Sequence, residues 1–259
     1  MNRLDIRVCI PSYKRPKVET LDYIPWAKVY VDEGEYEEYK KQNPEGNIIS
    51  VPKGIQGNVS RIRNYILDVN FEDGADAVAI IDDDMKGMYR WENKKSVLIE
   101  TDEYMNFLQK FSIMAKDMGV YLWGVNINQD KQVYREYSPF STLSFIGGPF
   151  GVFMRGSDLR YDEKLPLKED YDMTLQQLNK YRKVLRVNSH FYVVKQSVQT
   201  GGCAVYRNYK REEEQLKAFQ KKWGSKIVKI DGADRSNNLK KKRVRIDYNP
   251  IIKVPIKGI

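Results

Sequence analysis

The sequence predicts an α/β fold: a mixed, mostly parallel sheet flanked by helices, with a basic C-terminal extension. Three observations predict it. Short Val/Ile-rich runs alternate with helix-period segments over the first two hundred residues, the pattern of parallel strands joined by crossover helices. The chain has 259 residues, 41% of them hydrophobic and 31% charged, a globular composition long enough to bury a large core. Its net charge of +9 is concentrated at one end, since residues 207–259 hold 16 Lys+Arg against 6 Asp+Glu and residues 1–206 hold 28 against 29. We therefore expect a core over 1–206, with halves of about 1–95 and 96–206, and a basic extension over 207–259 packed on it.

Each element has a local reason. DIRVCIP is a strand stopped by Pro11, and Pro16 closes the polar loop after it. AKVYVDE (27–33) is a second strand, followed by the acidic helix EYEEYKKQN. NIISVP (47–52) is a third strand. KGIQGN then turns into VSRIRNYILDV, where Val59, Ile62, Ile66 and Val69 recur at helical spacing. AVAIID (77–82) is a fourth strand. Thr101 is expected to cap a helix over DEYMNFLQKFSIMAKDMG, with Asp102 and Glu103 in the first turn. Tyr104, Phe107, Leu108, Phe111 and Met118 form its apolar stripe, and Gly119 stops it. VYLWGVNIN (120–128) returns to strand, and TLSFIGGPFGVFMRG (142–156) reads as two short strands hinged at glycines. KEDYDMTLQQLNKY (168–181) is a helix with acids at its positive end, and VLRVNSHFYVV (184–194) a strand. After TGGC, YKREEEQLKAFQKKWG is a helix ended by Gly224, and RVRIDY a late strand.

Several classes are excluded at this level. No uninterrupted apolar stretch approaches the ~20 residues of a membrane helix, and MNRLDIRVCI lacks the apolar centre of a secretory signal. The expectation is a protein that stays in the cytoplasm, without a membrane partner. Cys9 and Cys203 are too few and too far apart for a disulfide framework or a metal knuckle. The run LKKKRVRIDY (239–248) suits either a polyanion or a solvated basic strand.

The chemistry concentrates where AVAIID runs into three carboxylates. Ligands bind outside the carboxyl ends of parallel strands, and Asp82, Asp83 and Asp84 stand at such an end. Side chains alternate in an extended segment, so Asp82 and Asp84 can face one side and share a hard cation, Mg²⁺ or Mn²⁺. The bland reading is an acidic turn. Glu169 and Asp170 are a second acidic pair, read either as helix N-terminal acids or as a site for proton abstraction from an attacking hydroxyl.

Taken in order, these motifs over about residues 5–195 resemble a nucleotide-sugar-dependent glycosyltransferase of the GT-A (Rossmann-like) fold. The DxD motif is matched by Asp82-Asp83-Asp84, and the acceptor-side glycine loop by Gly147-Gly148-Pro149-Phe150-Gly151. The xED motif is matched by Lys168-Glu169-Asp170, and the late histidine by His190, the only one in the chain. The resemblance implies that Asp82, Asp84 and His190 hold the metal, that Asp170 with Glu169 beside it is the catalytic base, and that Gly147 and Gly148 line the site. It implies further that IPSYKRP, with Pro11, Ser12, Tyr13 and Arg15, holds uracil and ribose. Asp32 would read the base, and Arg61 or Arg63 of GNVSRIRN, with Arg63 favoured, would reach the nucleotide. Asp83 is left between a ribose contact and a structural bond.

The chain also resembles phage-type glycosyltransferases associated with base-oxidising dioxygenases, on size, IPSYKRP, IIDDDM and the late GG segment. That resemblance implies a UDP-sugar donor, glucose first, and a hydroxymethylpyrimidine such as 5-hydroxymethylcytosine in DNA as acceptor, in a host cytoplasm if the gene is a phage's. Arg207, Lys240, Lys241, Lys242, Arg243 and Arg245 would contact phosphates, with Tyr206, Tyr209 and Trp223 near the strand. Gln199-Thr200-Gly201-Gly202 would close over an extruded base. A saccharide or protein acceptor, a nucleotidyltransferase, and a basic nucleic-acid-binding module without catalysis are the alternatives. Oligomeric state is left open.

Overall fold

The computed structural model describes residues 3–127, 129, 134–194, 201–230 and 248–254. Among these, ten strands form one sheet in the order β3-β2-β1-β4-β9-β7-β10-β5-β6, with the short β8 also on β10. The first four strands are parallel throughout: β1 (Ile6–Pro11) lies between β2 (Lys28–Asp32) and β4 (Ala77–Ile81), and β3 (Asn47–Val51) flanks β2. Beyond β4 the sheet is mixed. β9 (Phe150–Met154) runs antiparallel between β4 and β7 (Leu122–Asn126), and β10 (Leu185–Val194) is parallel to β7.

Side-chain alternation sorts the core into two layers, because successive strand residues face opposite ways. Val8, Ile10, Val29, Val31, Ala79 and Ile81 pack with Tyr39 of α1 (Tyr36–Gln42) and with Tyr104, Phe107, Leu108 and Phe111 of α3 (Tyr104–Asp117). Cys9, Tyr30, Val78 and Ile80 face Ile62, Ile66 and Leu67 of α2 (Val59–Glu72) and Met173 and Leu178 of α4 (Glu169–Tyr181). Parallel strands buried on both faces need no polar alternation, and AVAII of β4 is buried at every position.

The structure departs from the sequence reading in three places. The chain does not leave the sheet after the acidic turn. It continues as β5 (Met85–Glu92), antiparallel to β10, and β6 (Lys95–Leu98), paired with β5. Thr101 does not cap α3: its hydroxyl donates to the Tyr23 carbonyl at 3.0 Å, and the helix begins at Tyr104. Of the two glycine-hinged strands expected over 142–156, only β9 forms, and the preceding strand is the two-residue β8 (Phe140–Ser141). Both cysteines are free.

After residue 206, α5 (Tyr209–Trp223) packs Leu216 and Phe219 against Leu165 and Leu175, and β11 (Val228–Ile230) pairs with β12 (Pro250–Ile252). The expected strand RVRIDY and the cations Lys240, Lys241, Lys242, Arg243 and Arg245 lie outside the described residues. No helix among the described residues is long and apolar enough to cross a membrane.

Candidate active site

A cavity of about 390 Å³ opens at the carboxyl ends of β1 and β4. The loop after β1 supplies Pro11, Ser12, Tyr13 and Arg15 to one wall, and the turn after β4 supplies Asp82, Asp83 and Asp84. Gly148, Glu169 and Asp170 form the facing wall, and Arg207 completes the rim.

The acidic turn is pinned by backbone. Thr20 Oγ1 donates to the Asp82 carbonyl at 2.7 Å and accepts from the Met85 amide at 2.8 Å, while the Asp82 amide donates to the Pro149 carbonyl at 3.0 Å. This turn divides the three carboxylates. Asp83 is buried, accepts from Ser12 Oγ at 2.5 Å and pairs with the Arg15 guanidinium. Tyr39 closes that network through Ser12 Oγ at 2.9 Å and the Arg15 amide at 3.0 Å. Asp82 and Asp84 are left on the cavity. Burial pushes the Asp83 carboxyl up to about 6 although Arg15 and Ser12 oppose it. Asp84 is pushed up to about 7 by burial and by the charges of Asp82 and Asp83. Positive charge is in deficit there.

Arg63 joins the acidic turn to the facing wall. Its side chain, 2% exposed, donates to Asp82 Oδ1 at 2.9 Å, to Glu169 Oε1 at 3.2 Å and to the Gly148 carbonyl at 3.0 Å. Asn58 caps α2 by accepting from the Ser60 and Arg61 amides, which aims this helix and Arg63 at the cavity. Arg63 Nε is buried without a partner among the described residues.

Asp170 is held at both oxygens: Oδ2 accepts from the Gly148 amide at 3.1 Å and Oδ1 from the Tyr171 amide at 2.8 Å. Burial pushes both members of the pair up. Glu169 reaches about 8 because Asp170 adds repulsion that Arg63 only partly offsets, and Asp170 is raised chiefly by burial. A carboxylate fixed in direction, whose proton affinity burial raises, is suited to proton abstraction. A side chain at Gly148 would crowd the pair, since a Cβ would lie 3.3 Å from both Arg63 Nη1 and Asp170 Oδ2.

Four expected residues lie elsewhere. His190 sits on β10 opposite Arg90, with its ring 5.2 Å from Phe107 and 5.1 Å from Phe111 and its Nδ1 bonded to Ser189 Oγ at 2.9 Å. Burial lowers its pKa to about 4, and the half-buried neutral ring packs on core aromatics and does not line the cavity with the aspartates. Asp32 turns back to accept from the Gly34 amide at 3.0 Å. Arg61 points outward to Glu163 at 2.9 Å and the Gly54 carbonyl at 2.6 Å. Gly147 stands beside the cavity wall, where a Cβ would lie 2.8 Å from the Tyr192 hydroxyl. Of the aromatics expected near nucleic acid, Trp223 instead donates to buried Asp172 at 2.7 Å.

Sequence reasoning missed Gln56 and Cys203, and it did not foresee how the 201–206 segment reaches the cavity. Gln56 Nε2 ties the Ser12 and Tyr30 carbonyls, each at 3.0 Å, and a lone Gln in a turn gives no signal for that. The Gly202 amide donates to the Tyr13 carbonyl at 2.7 Å, bringing Cys203 and Tyr206 to the cavity. The glycines were legible, but their seat on the β1 loop was not. Gln199 and Thr200 lie outside the described residues.

A parallel half-sheet ending in an acidic turn, faced by a glycine loop and a helix-borne carboxylate pair, is the arrangement that the sequence resemblance to a GT-A nucleotide-sugar transferase leads one to expect. The family comparison narrows this: residues 8–202 match the model of the TET-associated glycosyltransferase family, and the chain belongs to that family. It is a glycosyltransferase. No curated protein matched in sequence. Among solved structures, A197 from STIV is 11% identical with a TM-score of 0.42, over 75% of this chain and 87% of that one. A UDP-glucose pyrophosphorylase complexed with UDP-glucose is 9% identical with a TM-score of 0.41, over 73% and 92%. A protein described as a nucleotide-diphospho-sugar transferase from Desulfovibrio desulfuricans G20 is 12% identical with a TM-score of 0.39, over 71% and 80%.

Proposed function

We propose that the protein transfers a sugar, glucose first, from a UDP-sugar to a hydroxymethylpyrimidine base in DNA, with inversion and with help from a divalent metal. The observation that carries this reading is the cavity in which Asp82, Asp84, Arg63 and the Glu169-Asp170 pair converge beside the Ser12–Arg15 loop.

The donor set fits a hard cation. Asp82 and Asp84 offer oxygen ligands only, and the burial and like-charge repulsion that raise Asp84, which Arg15 at 3.7 Å opposes, are what a cation would relieve. Among the described residues no three His, Cys, Asp or Glu side chains form a complete metal cage, so the remaining ligands would be diphosphate oxygens and water. Bound there, Mg²⁺ or Mn²⁺ would supply charge stabilisation of the leaving diphosphate.

The protein's own residues supply the rest. Ser12 and Tyr13, on the cavity wall, would take the nucleoside, while Arg15 fixes Asp83 and so shapes the turn. Asp170 takes the proton from the acceptor hydroxyl as its oxygen attacks the anomeric carbon, and the sugar–diphosphate bond breaks on the opposite side. Glu169, bound to Arg63, keeps that guanidinium between the two acidic walls. The basic C-terminal run would hold DNA phosphates without sequence preference. The base would be extruded to reach the cavity.

Release of UDP from UDP-glucose, measured with hydroxymethylcytosine DNA, unmodified DNA and no DNA, tests the proposal. Turnover with the modified DNA alone is expected. Turnover with an oligosaccharide and not with DNA would overturn the acceptor assignment. Asp170→Asn should abolish transfer, a loss of at least about 10³-fold, with UDP-glucose affinity nearly unchanged. Lost affinity by calorimetry would make Asp170 a donor ligand instead.

A further inference from the structure

The residues on either side of the Glu169-Asp170 pair are held from outside the family-matched segment. Lys168 is 2% exposed, and its ammonium donates to Glu212 Oε2 at 2.6 Å. Asp172 is 0% exposed: Oδ1 accepts from the Trp223 indole at 2.7 Å, Lys222 Nζ lies 2.8 Å from Oδ1 and 2.9 Å from Oδ2, and Gln176 of α4 donates to Oδ2 at 2.7 Å. Glu212, Lys222 and Trp223 all belong to α5, which begins at Tyr209, whereas the family match ends at residue 202.

We infer that α5 is a positioning element for the catalytic pair, acting through Lys168 and Asp172 on the first turn of α4. The apolar docking of α5 is made by Leu216, Phe219 and the half-buried Trp223 ring with Leu165, Leu175 and Tyr171. It does not need a buried cation and a buried anion placed one residue before Glu169 and two after Asp170. Isolated charges are not tolerated in such places, and among the described residues the anion facing Lys168 and the cation facing Asp172 both come from α5. Buried ion pairs yield little net stability but admit few alternative geometries, and here the selected geometry is that of the Asp170 carboxylate. The Asp172 amide, donating to the Lys168 carbonyl at 2.9 Å, closes the turn that contains both acids. This inference rests on the reading of Asp170 as the base.

The test uses the full chain with Lys168→Met, Trp223→Phe and Lys168→Arg. Lys168→Met is expected to lower kcat about 100-fold and Trp223→Phe about tenfold, with KM for UDP-glucose and Kd for UDP held within about twofold. Lys168→Arg should recover most of the loss. Hydrogen exchange should quicken at residues 169–173 in Lys168→Met and Trp223→Phe, while β1 and α2 keep their protection. An unchanged kcat, a KM that rises with kcat constant, or unaltered exchange in α4 would overturn the inference. Should Lys168→Met not fold, Trp223→Phe decides, because it removes one hydrogen bond and keeps the ring. If the wild type shows no transfer, the functional reading falls, and the exchange measurement alone decides whether α5 orders this turn.

Discussion

Arg63 and Arg61 stand two residues apart in one helix, and burial separates their roles. Two positions on a helix differ by about 200°, so only one can share the inward face with Ile66, Leu67 and Asn70, and that one is Arg63. Arg63→Met would leave Asp82 and Glu169 facing each other without their cation, and a loss of about 3–5 kcal/mol in urea unfolding is expected. Asp83 and Asp84 give a pH dependence of definite sign. Their folded pKa values, about 6 and about 7, lie above the usual 3.8, so the folded state binds their protons more tightly. That contribution is fully present below pH 3.8 and is lost as pH rises through about 6 to 7. A divalent cation competes with those protons. Mn²⁺ should therefore raise the melting temperature more at pH 8 than at pH 5, and an equal shift at both would argue against the Asp82–Asp84 site.

At the scale of elements, α4 ends on Arg182 in the left-handed region, at φ 65°. Glycine adopts that conformation without the Cβ penalty, so Arg182→Gly should be stabilising by about 0.5 kcal/mol once the entropy glycine adds to the unfolded chain is set against it. A small rise in the thermal midpoint, with activity unchanged, is the expected reading. The hairpin of β5 and β6 was hidden for a related reason. Its turn residues Asn93 and Lys94 both have positive φ, 49° and 64°, the mirror-image geometry that Asn-Gly normally announces, and Lys gives no such signal. The hairpin's charged side chains Lys86, Arg90 and Glu92 further blur the alternation of a half-buried strand. Strands β1 to β4, by contrast, were legible because burial on both faces writes a continuous apolar run.

At the scale of the whole molecule, the excess of positive charge lies beyond residue 206, while the carboxylates of the cavity come from the near-neutral remainder. Neutralising Lys240, Lys241, Lys242 and Arg243 should weaken DNA binding and flatten its salt dependence, by about 0.9 in the log–log slope for each phosphate no longer neutralised. An unchanged slope in a filter-binding titration would remove these residues from the interface. The sequence by itself determined the parallel half-sheet, the acidic turn at the end of β4 and the acids at the start of α4, because each is written within one element by periodicity or by adjacency. Only the tertiary structure decided that Asp83 turns inward, that Arg63 and not Arg61 bridges the acids, that His190 packs on core aromatics, and that α5 holds the turn beside Asp170. Most of these rest on contacts between residues far apart in the chain, and which polar group is buried against which is settled by packing, for which local sequence has no code.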